Sequence, residues 1–200
     1  MNFLAHAYLS FNDPDLLAGN MISDFVKGKK KFNYSQGIQA GIALHREIDF
    51  FTDTHPATRE AKKVFSLEYG LYAAVFVDVV YDHFLSIDSG EFPGNSLLPF
   101  TEKVYKSLDP YVIGFPEIFK QFYPHMKLYN WLYNYQTHTG IKRSFLNIAH
   151  RAKYISESEK AVALFLKNYS FLQECYKHFF PFLKEHAYHH FAEYKRSLEK

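Results

Sequence analysis

The sequence of 200 residues is poor in features that define several common protein classes. It contains a single cysteine, Cys175, so it can form no intramolecular disulfide and gives no sign of an oxidising compartment. It also lacks a phosphate-binding P-loop, a GxGxxG dinucleotide fingerprint and a GxSxG nucleophile elbow. The sequence therefore gives no support to a nucleotide-cofactor enzyme or to a serine hydrolase.

No export or membrane signal is evident. The first 15 residues lack the basic segment and the small-residue cleavage site of a secretory leader. The apolar run 71–87 approaches the length of a membrane span, but Asp78, Asp82 and His83 interrupt it and no basic flank follows. The sequence predicts a cytoplasmic protein that does not act at a membrane, with this run buried as a core helix.

Charge is nearly balanced overall but is uneven along the chain. Residues 1–100 carry 8 basic and 12 acidic side chains, whereas residues 101–200 carry 15 and 9. A basic face in the second half would suit an acidic partner or a phosphorylated substrate, and solvated lysines on ordinary amphipathic helices are the alternative. No nucleic-acid partner is expected.

The fold class follows from hydrophobic spacing. No segment alternates polar and apolar residues for long enough to predict a sheet, and there is no internal repeat or Gly/Ser linker. We expect an all-α, single-domain helical bundle over residues 1–200. Asp13 is the predicted cap of the second helix, and Asp53 or Thr54 caps a later one. Four prolines are predicted to begin helices: Pro14, Pro56, Pro124 and Pro181.

Two predicted helices carry polar residues in stripes. In the block 41–53, His45, Asp49 and Asp53 recur every fourth residue and share one face of a helix. In the run 71–87, Asp78 and Asp82 repeat this step among apolar residues. Buried carboxylates normally pair or bind a metal, because an unpartnered charge there is costly.

A divalent cation shared between these helices would satisfy both stripes. We predict four metal ligands: Asp24, His45, Asp78 and Asp82. Asp49 is open to a second interpretation, because it could orient His45 or pair with an arginine instead. Asp53 suits a helix cap equally well.

Four sequence blocks, in this order, resemble the bacterial acyl-carrier-protein phosphodiesterase family: MNFLAHAYLS, GNMISDFVKG, GIALHREIDFFTDTHP and DVVYDHFL. The resemblance covers about the first 90 residues well. It implies an HD-domain-like bundle, since that family is a divergent branch of the metal-dependent HD phosphohydrolases. The chain departs from the ordinary HD pattern, because no histidine is directly followed by aspartate and the nearest pair is the reversed Asp82-His83.

The resemblance implies hydrolysis of the phosphodiester between 4'-phosphopantetheine and a serine of holo acyl carrier protein, with Mn²⁺ or Mg²⁺ as cofactor. The partner is then an acidic carrier protein, received by the second half or by the lysine-rich segment 27–31. In this scheme His6, His83 or Asp49 positions the water or protonates the serine oxygen. Arg46, or a lysine of 27–31, neutralises the phosphate.

Two other functions remain open at the level of sequence. A phosphohydrolase acting on a small nucleotide or another phosphodiester would use the same ligands. A helical module that binds carrier protein without catalysis, or that uses a metal structurally, would also account for the polar stripes.

Overall fold

The computed structural model describes residues 1–151 and 158–199. Within these ranges the chain forms α-helices and short 3₁₀ turns and no β-strand, which confirms the all-α prediction. The α-helices of this described part are α1 (Phe3–Tyr8), α2 (Pro14–Ile22), α3 (Gln36–Thr54), α4 (Pro56–Tyr69), α5 (Ala73–Ser86), α6 (Leu97–Leu108), α7 (Glu117–Leu128), α8 (Trp131–Asn134), α9 (His138–Arg151), α10 (Ser158–Lys167) and α11 (Tyr169–Ser197). The 3₁₀ turns are Ser23–Phe25, Gly28–Asn33, Gly70–Tyr72, Pro93–Asn95 and Asp109–Gly114.

Two of the four prolines begin helices as predicted. Pro14 opens α2, and the Asp13 carboxylate caps this helix by accepting from two backbone N–H groups of its first turn. Pro56 opens α4, but its cap is His55, whose Nδ1 accepts from the Ala57 N–H at 3.2 Å. The prediction of Asp53 or Thr54 as this cap is therefore wrong.

The other two prolines lie inside helices, so their predicted roles as helix starts are wrong. Pro124 lies within α7 and Pro181 within the 29-residue α11. A proline removes one backbone hydrogen bond, a loss that tertiary packing can outweigh. Around Pro181, α11 buries Phe179, Phe180 and Leu183 in the core, and this burial keeps the helix continuous.

Helix α5 lies at the centre of the core and packs against α1, α4, α9 and α11. Eleven of its 14 residues are buried, as expected for the apolar run. The stretch Pro56–Ser86 has the length and hydropathy of a membrane span. It is nevertheless two helices, because Gly70 has a φ of 52° between α4 and α5 and the two helices pack against each other.

Helices α2 and α3 cross at two glycines. A Cβ on Gly19 would lie 2.1 Å from the Ile38 carbonyl oxygen, and a Cβ on Gly41 would lie 2.3 Å from the Leu16 carbonyl oxygen. Only glycine permits this approach of the two backbones. The crossing matters for function because α2 carries Asn20 and α3 carries His45.

The substitution Gly41→Ala should destabilise the protein by about 3 kcal/mol, because the added methyl group must push α2 away from α3. Urea unfolding followed by circular dichroism measures this change. Gly114→Ala is the matched control, since a Cβ there meets no atom within 4 Å. Equal unfolding midpoints for the two variants would contradict the close crossing.

Candidate active site

Two histidines from separate helices stack beside two carboxylates. The rings of His6 in α1 and His45 in α3 have centroids 3.9 Å apart and lie 12° from parallel. Asp49, one turn after His45, places Oδ1 3.2 Å from His6 Nε2 and Oδ2 3.1 Å from His45 Nε2. Asp24, in the 3₁₀ turn Ser23–Phe25, places Oδ1 3.2 Å from His45 Nε2. We call these four side chains the His–Asp cluster.

Asn20, buried near the end of α2, orients both imidazole rings. Its side-chain nitrogen donates to the His6 carbonyl at 2.9 Å and to the Ser10 hydroxyl at 3.2 Å, so its side-chain oxygen accepts. His6 Nδ1 donates to that oxygen at 2.8 Å. His45 Nδ1 donates at 2.8 Å to the backbone carbonyl of Asn20, which lies in the last turn of α2 where carbonyls lack intrahelical partners. Both rings therefore turn Nε2 towards the carboxylates.

The inner face of the His–Asp cluster consists of ligand atoms that favour a positive charge among them. Without a metal, a proton on His45 Nε2 lies between that ring and the carboxylates of Asp24 and Asp49. A neutral imidazole with its proton at Nδ1 presents a lone pair at Nε2, so a metal that displaces this proton would meet two Nε2 lone pairs and the carboxylate oxygens. Ligand atoms of His6, His45 and Asp49 all lie within 4.8 Å of one another, so small shifts would close them around one ion. The residues present fit a divalent metal.

The pKa values of the two histidines are shifted in opposite directions. Burial, together with the positive charge of His45, lowers the pKa of His6 to about 4. Burial also disfavours a charge on His45, but hydrogen bonds to Asp24 and Asp49 outweigh it and raise the pKa of His45 to about 9. Burial disfavours a charge on Asp49, but its contacts with His45, His6 and the Met1 ammonium outweigh burial and hold the pKa of Asp49 well below its usual range. Asp49 therefore stays ionised.

Asp78 lies beside the cluster and is linked to it through the α-ammonium group of Met1. This ammonium donates to Asp78 Oδ1 at 2.9 Å and lies 3.7 Å from Asp49 Oδ1. Burial raises the pKa of Asp78, while the neighbouring ammonium opposes that shift. Asp78 is thus placed to meet a ligand in the same cavity as Asp49.

The cluster opens onto a cavity of about 310 Å³, which we call the acidic cavity. Asp24, Asp49 and Asp78 line it together with the aromatic side chains of Trp131 and Tyr135. A phosphoryl group entering this cavity would meet Asp24 and Asp49, the two residues of the cluster that line it, together with Asp78.

Comparison with known proteins assigns the chain to a family. The sequence profile described as acyl carrier protein phosphodiesterase matches residues 1–183. The chain belongs to this family. A curated family member from Photorhabdus laumondii is 31% identical over 188 residues, covering 94% of this chain and 95% of the relative. Another from Yersinia pestis is 30% identical over 190 residues, covering 94% and 98%.

Family membership confirms the resemblance seen in the four sequence blocks. No solved structure matches the chain, so the HD-domain-like arrangement remains a prediction. The blocks themselves converge in space: the first supplies His6, the second Asp24, the third His45 and Asp49, and the fourth Asp78.

Asp82 was predicted to be a metal ligand, but the structure places it in different surroundings. Its side chain is fully buried, and its two oxygens accept from the backbone N–H groups of Asn2 at 3.1 Å, Leu4 at 2.7 Å and Ala5 at 3.3 Å. Burial raises the pKa of Asp82 to about 7, against these hydrogen bonds and the Met1 ammonium. Asp82 thus fixes the start of α1, which carries His6, and lies outside the cluster.

His83 and Arg46, predicted to act in catalysis, are also outside the cluster. His83 is buried, with Nδ1 donating to the Tyr135 carbonyl at 2.7 Å and Nε2 accepting from the Tyr169 hydroxyl at 3.0 Å. It therefore supports α8 and α11 from behind the cavity wall. Arg46 follows His45 on α3, is exposed, and does not line the acidic cavity.

Sequence reasoning missed Asn20 as a functional residue. The available signal was a polar amide among apolar residues of α2, one turn before Asp24. An amide in such a position needs buried partners, and His6 and Ser10 provide them.

Replacing a cluster carboxylate should remove metal binding in this family member. We expect Asp49→Asn to weaken Mn²⁺ binding by about 100-fold or more, beyond the usual effect of an outer-shell change. Isothermal titration calorimetry measures the affinity. Asp53→Asn is the matched control, one turn along α3, because Asp53 is exposed and pairs with Lys62 at 2.7 Å. Unchanged Mn²⁺ affinity in Asp49→Asn would contradict the site.

The substitution Asp82→Asn tests whether Asp82 supports the start of α1 or binds the metal. Loss of carboxylate acceptors at three backbone N–H groups should lower the free energy of unfolding by about 2 kcal/mol. Mn²⁺ affinity of the folded variant should stay within about threefold of the wild type, because no cluster ligand is changed. Full stability combined with lost Mn²⁺ binding would instead establish Asp82 as a ligand.

Proposed function

We propose that this protein hydrolyses the phosphodiester that joins 4'-phosphopantetheine to a serine of holo acyl carrier protein, using Mn²⁺ or Mg²⁺. The observation that carries the proposal is the His–Asp cluster, because ligand atoms of His6, His45 and Asp49 lie close enough for one ion and its carboxylates line a cavity of about 310 Å³. The relatives named acyl carrier protein phosphodiesterase supply the substrate class.

His6, His45 and Asp49 would hold the ion, with Asp24 beside them. With an ion held there, the site would gain Lewis-acid activation of a phosphoryl oxygen and a water of lowered pKa. Two imidazoles among carboxylates favour Mn²⁺ over Mg²⁺, because Mg²⁺ prefers an octahedral shell of oxygen ligands. Asn20 keeps both Nε2 atoms directed at this position through its hydrogen bonds to the two Nδ1 atoms.

Asp78 is the carboxyl group best suited to deliver a proton to the departing serine oxygen. It lines the acidic cavity, and burial raises its pKa, so it carries a proton more readily than Asp49 does. The pKa of Asp49 is too low for that role, and Asp49 instead contributes permanent negative charge to the ion site.

The lysine-rich segment 27–31 is the proposed docking surface for the acidic carrier protein. It begins two residues after Phe25, which lines the acidic cavity with Asp24. Lys27, Lys29 and Lys30 are exposed. A carrier protein bound there would bring its modified serine to the cavity mouth, and the reaction would take place in the bacterial cytoplasm.

The reaction itself is tested by incubating the protein with holo acyl carrier protein and Mn²⁺ and following the mass of the carrier. We expect loss of the phosphopantetheine group, abolished by chelator and reduced at least about 100-fold in Asp49→Asn but not in Asp53→Asn. An unchanged carrier mass alongside hydrolysis of bis(p-nitrophenyl) phosphate would point to a small phosphodiester substrate. Carrier binding without turnover of either substrate would indicate a non-catalytic module.

Neutralising the docking segment should weaken recognition of the carrier. Lys29→Gln combined with Lys30→Gln should raise KM for holo acyl carrier protein roughly 5- to 10-fold at low salt and reduce its dependence on ionic strength. Lys63→Gln with Lys177→Gln removes the same charge from exposed positions on α4 and α11 and serves as the control. Equal KM values for both double variants would contradict docking at 27–31.

A further inference from the structure

A second cavity adjoins the acidic cavity and shares part of its wall. It measures about 360 Å³, and we call it the aromatic cavity. Trp131, Tyr135, Ser144 and Asn147 line both cavities, so the two adjoin along these residues, and we call the pair the groove. The rest of the wall of the aromatic cavity consists of Tyr129, Asn134, Gly140 and Arg143.

The wall of the aromatic cavity is held in place by the local structure of α8. Asn130 adopts a left-handed φ of 40°, and its side-chain oxygen accepts from the Tyr133 N–H at 3.1 Å to start this short helix. The Asn134 side-chain nitrogen donates to the Tyr129 carbonyl at 2.6 Å. Trp131 stacks on Phe122, with ring planes 3° apart. The groove is therefore formed in advance of ligand binding.

Two further contacts tie this wall to the neighbouring elements. His83 of α5 donates from Nδ1 to the Tyr135 carbonyl at 2.7 Å. Gly140 at the start of α9 lies so close to α8 that a Cβ there would be 1.9 Å from the Asn134 carbonyl oxygen. These contacts hold the wall in position between two helices: α5, which carries Asp78, and α9, which carries Ser144.

The chemistry of the aromatic cavity differs from that of the acidic cavity. Aromatic rings provide apolar contact, while the amide of Asn147 and the hydroxyl of Ser144 provide both donors and acceptors. No carboxylate lines this cavity among the described residues, and Arg143 contributes a positive charge to its wall. A chain of short alkyl segments and amides matches such a surface, since the rings contact the alkyl segments and Arg143 can donate to an amide carbonyl. A purely aliphatic chain would leave these polar groups unmatched.

We propose that the aromatic cavity receives the pantetheine arm of the substrate while its phosphodiester lies at the His–Asp cluster. This inference rests on the proposed function and deepens it, because the groove would distinguish a pantetheine diester from other diesters. The arm carries amides and short alkyl segments and starts at the phosphate, so it can run from the acidic cavity past Trp131 without leaving the groove.

Ser144→Phe tests the proposal by narrowing the groove where the two cavities meet. The ratio of kcat/KM for holo acyl carrier protein to that for bis(p-nitrophenyl) phosphate should fall at least about 30-fold, since only the first substrate has an arm. Ser66→Phe, the same change at an exposed position of α4, should leave the ratio at the wild-type value. Asn147→Phe narrows the same groove from an exposed residue and replaces Ser144→Phe if that variant does not fold.

A binding measurement provides a readout other than activity. Trp131 is the single tryptophan of the chain, so its fluorescence reports on the groove directly. With Mn²⁺ present, 4'-phosphopantetheine should change this fluorescence in the wild type and in Ser66→Phe, and at least about tenfold higher concentrations should be needed in Ser144→Phe.

The outcomes separate the two proposals. Wild-type turnover of holo acyl carrier protein with an unchanged substrate ratio and unchanged fluorescence titration in Ser144→Phe would overturn the arm site and leave the proposed function intact. A wild type that hydrolyses bis(p-nitrophenyl) phosphate but never holo acyl carrier protein would overturn both.

Discussion

The arrangement of the candidate site depends on one buried residue, Asn20, which holds two imidazole rings through different atoms. Its side-chain oxygen accepts from His6, and its backbone carbonyl accepts from His45. Because both accepted protons are on Nδ1, both Nε2 atoms point at Asp49. A positive charge is favoured among them, either the proton that raises the pKa of His45 to about 9 or a metal cation that would displace it.

Backbone packing makes that geometry possible. The glycine crossing of α2 and α3 brings Asn20 within reach of His45, and the Asp82 carboxylate fixes the start of α1 beside them. A fully buried carboxylate thus serves a helix that bears a site residue. Support of this kind from surrounding groups is what keeps a metal-binding constellation in its productive geometry.

The sequence predicted the parts of this site that follow from helical periodicity and could not predict the parts that follow from tertiary contact. The spacing of His45 and Asp49 places them on one face of a helix, and Asp24 was predicted from the block GNMISDFVKG. Asp82 shows the limit: its apolar surroundings indicated burial correctly, but a metal and three backbone N–H groups satisfy a carboxylate equally well. Pro181 shows the same limit for the fold, since only packing explains why α11 continues through it.

A divalent cation is expected to bind between His6, His45 and Asp49. Anomalous diffraction from crystals grown with Mn²⁺ tests this site most directly, because the signal locates the ion without reference to activity. We expect a peak bonded to Nε2 of both histidines and to an Asp49 oxygen, with each Nδ1 still hydrogen-bonded to Asn20. A peak coordinated by Asp78 and Asp82, with both imidazoles unligated, would contradict it.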